Sequence, residues 1–336
     1  IRQSAKYSII NYLGALIGIA STLFVYPLAL ESYGMVRWFI DIAVLFAPFV
    51  MLGAHSVTVR YFPDFWEDKN ENKNSLLSLL LLWVVGGIVL FSAVWFFFQE
   101  EINGFFSSQS ALRAEFYTAL FPLTIFLVMS MFFSQYASNY KRIVIPSLLQ
   151  EILIKITMPI LILGVVYFSW HLDILVYGVV CSYTIAAAGL LYYLYRLGAF
   201  KTIKFRERLR EIGVKAIRSY ALFGLFSALG AILALRIDRV MVGYLLGDTI
   251  NGIFSIVVTL GIFMEIPFRS VVKIASPLVS QSMADGNMVE VRKIYKRSSL
   301  NLMLIGGVLF TGIWWLIDLI LVAMKHDFAK VNWVEK

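Results

Sequence analysis

Apolar residues run through this chain in long blocks separated by short polar segments. They show neither the alternation of a half-buried strand nor the single stripe of a soluble helix. A helix needs roughly 20 apolar residues to cross about 30 Å of hydrocarbon. Nine stretches meet that length: Tyr7 to Leu30, Met35 to Val59, Ser75 to Phe98, Ala114 to Ala137, Ser147 to Phe168, Leu172 to Tyr195, Ser219 to Leu235, Ile250 to Phe268 and Leu300 to Met324. The fold class this predicts is an all-α polytopic membrane protein. The first block is too long for a signal peptide and lacks a small-residue cleavage site.

Ser219 to Gly247, SYALFGLFSALGAILALRIDRVMVGYLLG, weakly echoes Lys6 to Gly34. The alignment sets Tyr7 over Tyr220, Ala15 over Ala228, Leu16 over Leu229 and Gly34 over Gly247. Pro48-Phe49 in span two and Pro267-Phe268 in span eight repeat the correspondence. The longest basic loop lies just before the second copy. Residues 1–195 therefore read as an N-terminal lobe of six spans, 196–218 as a cytoplasmic linker, and 219–336 as a partial C-terminal lobe of three. Six spans per lobe set both lobes the same way up, as parallel repeats. On that reading the second lobe is incomplete, and the chain, opening on Ile1 and closing in a polar tail, is expected to be a C-terminally truncated piece of a longer transporter. Gln281 to Arg297 is too polar to span. With Asn287 as helix cap and Met288, Val291, Ile294 and Tyr295 at helical spacing, it is expected to lie along the membrane surface.

Composition agrees with this class: 60% of residues are hydrophobic, 15% are charged, and mean hydropathy is +0.79. The net charge of +8 suggests nucleic acid until the cations are placed. With the N-terminus in the cytoplasm, 21 of the 29 lysines and arginines fall on the cytoplasmic side and seven outside, with Lys155 inside a span. That is the positive-inside pattern, so the basic balance reports topology and nucleic acid is not expected as a partner. The single cysteine, Cys181, and three scattered histidines, His55, His171 and His326, offer no disulfide framework and no metal spacing.

Three segments carry a family likeness: NYLGALIGIASTLFVYPLALESYG near the start, RIDRVMVGYLLGD at the end of span seven, and IPFRSVVKIASPLVSQSMADGN after span eight. They resemble the polysaccharide-transporter branch of the multidrug, oligosaccharidyl-lipid and polysaccharide exporter superfamily, and within it the O-antigen and exopolysaccharide repeat-unit flippases. The resemblance implies a two-lobe, MATE-like flippase fold in a bacterial cytoplasmic membrane. It also implies movement of undecaprenyl-pyrophosphate-linked oligosaccharide by alternating access, with a polysaccharide polymerase or glycosyltransferases as pathway partners and no cofactor. It supplies no residue-by-residue site.

Candidate residues therefore rest on physical argument. An ionisable group at membrane depth costs ~2.5 to 3.5 kcal/mol on insertion scales, so each marks a cavity or a neutralised pair. Lys155 is the deepest cation, either a counter-ion for pyrophosphate or the partner of Glu151 one turn earlier. Arg60, at the cytoplasmic end of span two, is either a contact for incoming pyrophosphate or a topology anchor. Arg236, Asp238 and Arg239 form either an outer gate against the first lobe or a solvated helix end. Arg37 with Asp41, and Glu265 with Arg269, are gate elements or static helix pairs. His55 is read as a packing histidine. Gly14 and Gly18 form a small face for close helix contact. Pro48, Pro122, Pro159 and Pro267 permit bends within spans. Trp38, Trp83 and Trp95 are assigned to lipid-facing or interfacial positions.

Other functions fit less well. An enzyme needs an acid–base pair in a roomy loop, and the close pair His171 with Asp173 lies in a three-residue turn. No re-entrant filter sequence suggests a channel. A multidrug exporter or a lipid II flippase on the same architecture stays open. The deep lone charge is Lys155, and the buried acid candidates, Asp41 and Glu151, each have a cation one turn away, which favours an anionic substrate.

Overall fold

The computed structural model describes residues 2–68, 73–74, 76–107, 111–140, 142–200, 213–284 and 286–328. Within them the chain is helical apart from a short antiparallel pair, Trp66–Asp68 with Lys73–Asn74. The helices are α1 (Arg2–Phe24), α2 (Leu30–Met51), α3 (Ala54–Tyr61), α4 (Leu76–Phe97), α5 (Gln99–Ser107) and α6 (Ala111–Asn139). There follow α7 (Val144–Phe168), α8 (Leu172–Arg196), α9 (Val214–Leu246), α10 (Asp248–Ala284) and α11 (Met288–Phe328). Seven helical segments are long and apolar enough to cross a membrane; Tyr12–Phe24 in α1 and Asp248–Ile262 in α10 are shorter apolar stretches.

α2 is the axis of the packing. It contacts α4 and α6 on one side and α9 and α10 on the other, while α8 packs on α6 and α7, and α11 packs on α10. Two buried clusters follow one another along it. The first gathers Met35, Trp38, Phe39 and Val44 with Phe116, Leu120, Ile162, Val176 and Ile256; the second gathers Val50 and Val57 with Leu77, Leu80, Phe132, Tyr136, Leu190 and Ala221. Each contains residues from both sides of the basic loop. Lipid is as apolar as leucine, so burial alone does not drive such helices together; close van der Waals fit does.

Glycines supply that fit. A Cβ on Gly34 would collide with the Asp248 carbonyl, and one on Gly252 with the Leu30 carbonyl, so α2 and α10 meet backbone to backbone. Gly53, at φ +78°, is held against the Ala221 carbonyl. It leaves room for α9 and supplies a left-handed conformation that costs other residues strain.

Several boundaries differ from the sequence expectation. Span two is two helices: α2 stops at Leu52 and Gly53, both left-handed, with the Leu52 N–H donating to the Pro48 carbonyl at 2.9 Å, and α3 restarts at Ala54. Span one ends at Phe24, and a 3-10 turn, Tyr26–Ala29, leads into α2. Gly34 therefore sits inside a helix, whereas Gly247, aligned with it in the echo, is a turn at φ +87°. Gln281 to Arg297 is not a separate surface helix. Its first residues end α10 and the rest opens the 41-residue α11, which runs through Leu300 without a break. Asn287 does cap that helix, its Oδ1 accepting from the Glu290 N–H at 3.1 Å.

Candidate functional site

The chemistry of α2 gathers at Asp41, whose side chain is fully buried in an otherwise apolar helix. One turn earlier Arg37 places its Nε 3.6 Å from Asp41 Oδ2. From α9, Arg236 Nη1 donates to Asp41 Oδ1, and Arg239 Nε lies 3.3 Å from Oδ2. Both arginines reach α2 because they sit three residues apart on one face of α9. Three guanidinium groups thus surround one carboxylate, an excess of two positive charges. Arg239 is only 4% exposed, and its Nε and Nη1 meet no protein acceptor in hydrogen-bond geometry among the described residues.

A second ionic group lies beyond it. Arg113, near the start of α6 and 1% exposed, donates from Nε at 2.9 Å and from Nη2 at 2.6 Å to Asp248 Oδ1; Nη2 also donates to the Gly243 carbonyl at 2.6 Å. Its guanidinium lies 4.0 Å from the Trp38 ring centroid. Trp38 donates in turn from Nε1 to the Val240 carbonyl at 3.0 Å and fills the space left by Gly243, where a Cβ would strike the indole. Phe106 of α5 packs edge-on against the same indole, at 5.6 Å between centroids. Asp248 opens α10, where the helix dipole favours a carboxylate. The Arg113 guanidinium thus joins α6 to α2, α9 and α10.

Polar and close contacts continue the junction. Asn251, fully buried, donates from Nδ2 to the Gly34 carbonyl at 2.8 Å. At the other end, Gly53 faces Ala221 and Gly224 faces Ser56. α2 and α9 therefore run antiparallel, meeting at Trp38 with Gly243, at Asp41 with Arg236 and Arg239, and at Gly53 with Ala221.

The structure brings together Arg37, Asp41, Arg236 and Arg239 and leaves the other candidates outside this group. Asp238 is exposed, and its Oδ1 accepts from the Arg239 N–H at 2.7 Å. Lys155 lies 3.4 Å from Glu151 on its own helix, just after a π-helical turn, Leu148–Ile152, and a Cβ on Gly14 of α1 would lie 3.5 Å from its Nζ. Arg60 pairs with Asp64 at 3.6 Å on the exposed end of α3 and covers the Tyr61 ring. Glu265 is exposed on α10, while the side chain of Arg269 lies outside the described residues. His55 is exposed on α3, and His171 with Asp173 opens α8.

Two assignments change. Trp38 is not interfacial: it is 1% exposed and central to the junction, and Trp95 is buried beside Phe91 and Phe121. Arg113, counted in the sequence as an outer loop charge, is a buried structural cation. Nothing local marks it, since its partners lie 75 to 135 residues away along the chain. The one hint is that Asp248 closes the RIDRVMVGYLLGD segment, immediately after the turn glycine.

No protein-family model, characterised protein or solved structure matches this chain.

Proposed function

We propose that this protein is a flippase that moves undecaprenyl-pyrophosphate-linked oligosaccharide repeat units across a bacterial cytoplasmic membrane by alternating access, for O-antigen or exopolysaccharide synthesis. The observation that carries the reading is the Asp41 cluster: three arginines around one buried carboxylate, contributed by the two sides of the basic loop and packed into an apolar, membrane-type bundle. Three guanidinium groups crowded on one buried carboxylate repel one another unless a further anion relieves them, and a pyrophosphate carries that charge. Lys155, Arg60 and Arg37 are proposed as substrate contacts along the path, and Asp41, Arg236, Asp238, Arg239, Glu265 and Arg269 as gating groups. On this reading the protein has two parallel lobes and nine spans in this chain. The N-terminus is cytoplasmic, and the Asp41 cluster lies toward the outer side.

The test is reconstitution. Vesicles carrying the protein and a fluorescent lipid-linked oligosaccharide should expose the sugar to an external lectin faster than empty vesicles, and Arg236→Ala with Arg239→Ala should abolish the gain. Equal rates with and without protein sink the reading.

A further inference from the structure

We infer that Arg113, Asp248 and Trp38 form a second latch in series with the Asp41 cluster, and that this latch, not the cluster, holds the junction closed at rest. The inference rests on the transport reading for its purpose, but its evidence is independent of any substrate. The two ionic groups differ in kind. The Asp41 cluster has surplus cations and buried guanidinium nitrogens without acceptors, so an arriving anion can remake it. In the Arg113 group the cation already holds a carboxylate. Two guanidinium nitrogens converge on Asp248 Oδ1, the Gly243 carbonyl accepts a third bond, and the indole covers the cation face. An anion gains nothing there unless Asp248 first leaves.

The latch also spans more of the fold. Arg113 belongs to α6, Trp38 to α2, Gly243 to α9 and Asp248 to α10, so α9 and α10 cannot swing from α2 and α6 while it is intact. Around it the glycine contacts of Gly34 with Asp248 and Gly243 with Trp38 set the register at which the bonds form. Charge-assisted and planar contacts of this kind lose strength steeply once misaligned. The latch is therefore either made or open, as a two-state element requires.

The experiment reads exposure of the junction directly. In a Cys181→Ser background, Ser255→Cys places a thiol at a fully buried position two turns along α10 from Asp248, and Ser56→Cys reports on the opposite end of the junction. Maleimide labelling is followed on purified full-chain protein in lipid nanodiscs. Asp248→Asn and Arg113→Gln should each speed labelling at position 255 by about fivefold or more, and leave labelling at 56 unchanged. The charge-swapped pair, Arg113→Asp with Asp248→Arg, should return it toward the parent rate. Unchanged labelling at 255 in both single variants overturns the latch, as does a parallel rise at 56, which signals general loosening. Faster labelling at 255 in protein that moves no lipid-linked sugar keeps the latch and removes the flippase reading.

Discussion

Trp38 and Gly243 meet as a ring and the space that admits it. The indole of α2 lies where any β-carbon at position 243 of α9 would stand, and its N–H donates to the Val240 carbonyl one turn away. That fit sets how closely the two helices approach and so where every charged group of the junction falls. Gly243→Ala should lower stability by about 1–3 kcal/mol through overpacking, read as a reduced melting temperature in detergent. An unchanged melting temperature shows that the indole can move aside.

Arg113 and Asp248 make the sharper stability prediction. Removing one member of a buried pair strands the other, at about 3–5 kcal/mol. Arg113→Ala and Asp248→Ala should each reach that range, while the double variant should cost well under their sum, because the partners share one interaction. A double-mutant cycle with additive losses contradicts the pairing.

Asp41→Asn leaves three arginines around a neutral amide. Like-charge repulsion then loses the buried carboxylate that opposes it, so the loss should again be about 3–5 kcal/mol. Replacing Arg37, Arg236 or Arg239 singly in that background should recover part of it. Thermal melts of the four proteins decide, and an Asp41→Asn protein as stable as the parent refutes the cluster as drawn.

Lys155 separates function from stability. Its pairing with Glu151 is half exposed on one helix, and such pairs contribute under about 1 kcal/mol. Lys155→Ala should therefore leave the protein level unchanged, and under the flippase reading it should reduce surface polysaccharide. Arg236→Ala should reduce it as well. Normal polymer in both strains removes these residues from the transport path.

Gly53 tests the turn between α2 and α3. Gly53→Ala meets both the left-handed φ and the Ala221 carbonyl, so a destabilisation of roughly 1–3 kcal/mol is expected from backbone strain. The more conservative Leu52→Gly should be neutral or stabilising at its own left-handed position. A Gly53→Ala protein with the parent melting temperature shows that the turn relaxes freely.

The membrane class, the approximate positions of the apolar helices and the Asn287 cap follow from the sequence alone. Each depends on local quantities: length of an apolar run, capping chemistry, the spacing of cations. The candidates Arg37, Asp41, Arg236 and Arg239 were visible for the same reason, as charges in apolar surroundings. That α2 is the helix on which the others pack, that Trp38 is core, and that Arg113 reaches Asp248 were decided only by tertiary packing. Those facts depend on which helix faces meet, and in lipid the close fit of glycines such as Gly34, Gly243 and Gly252 against distant partners selects the faces.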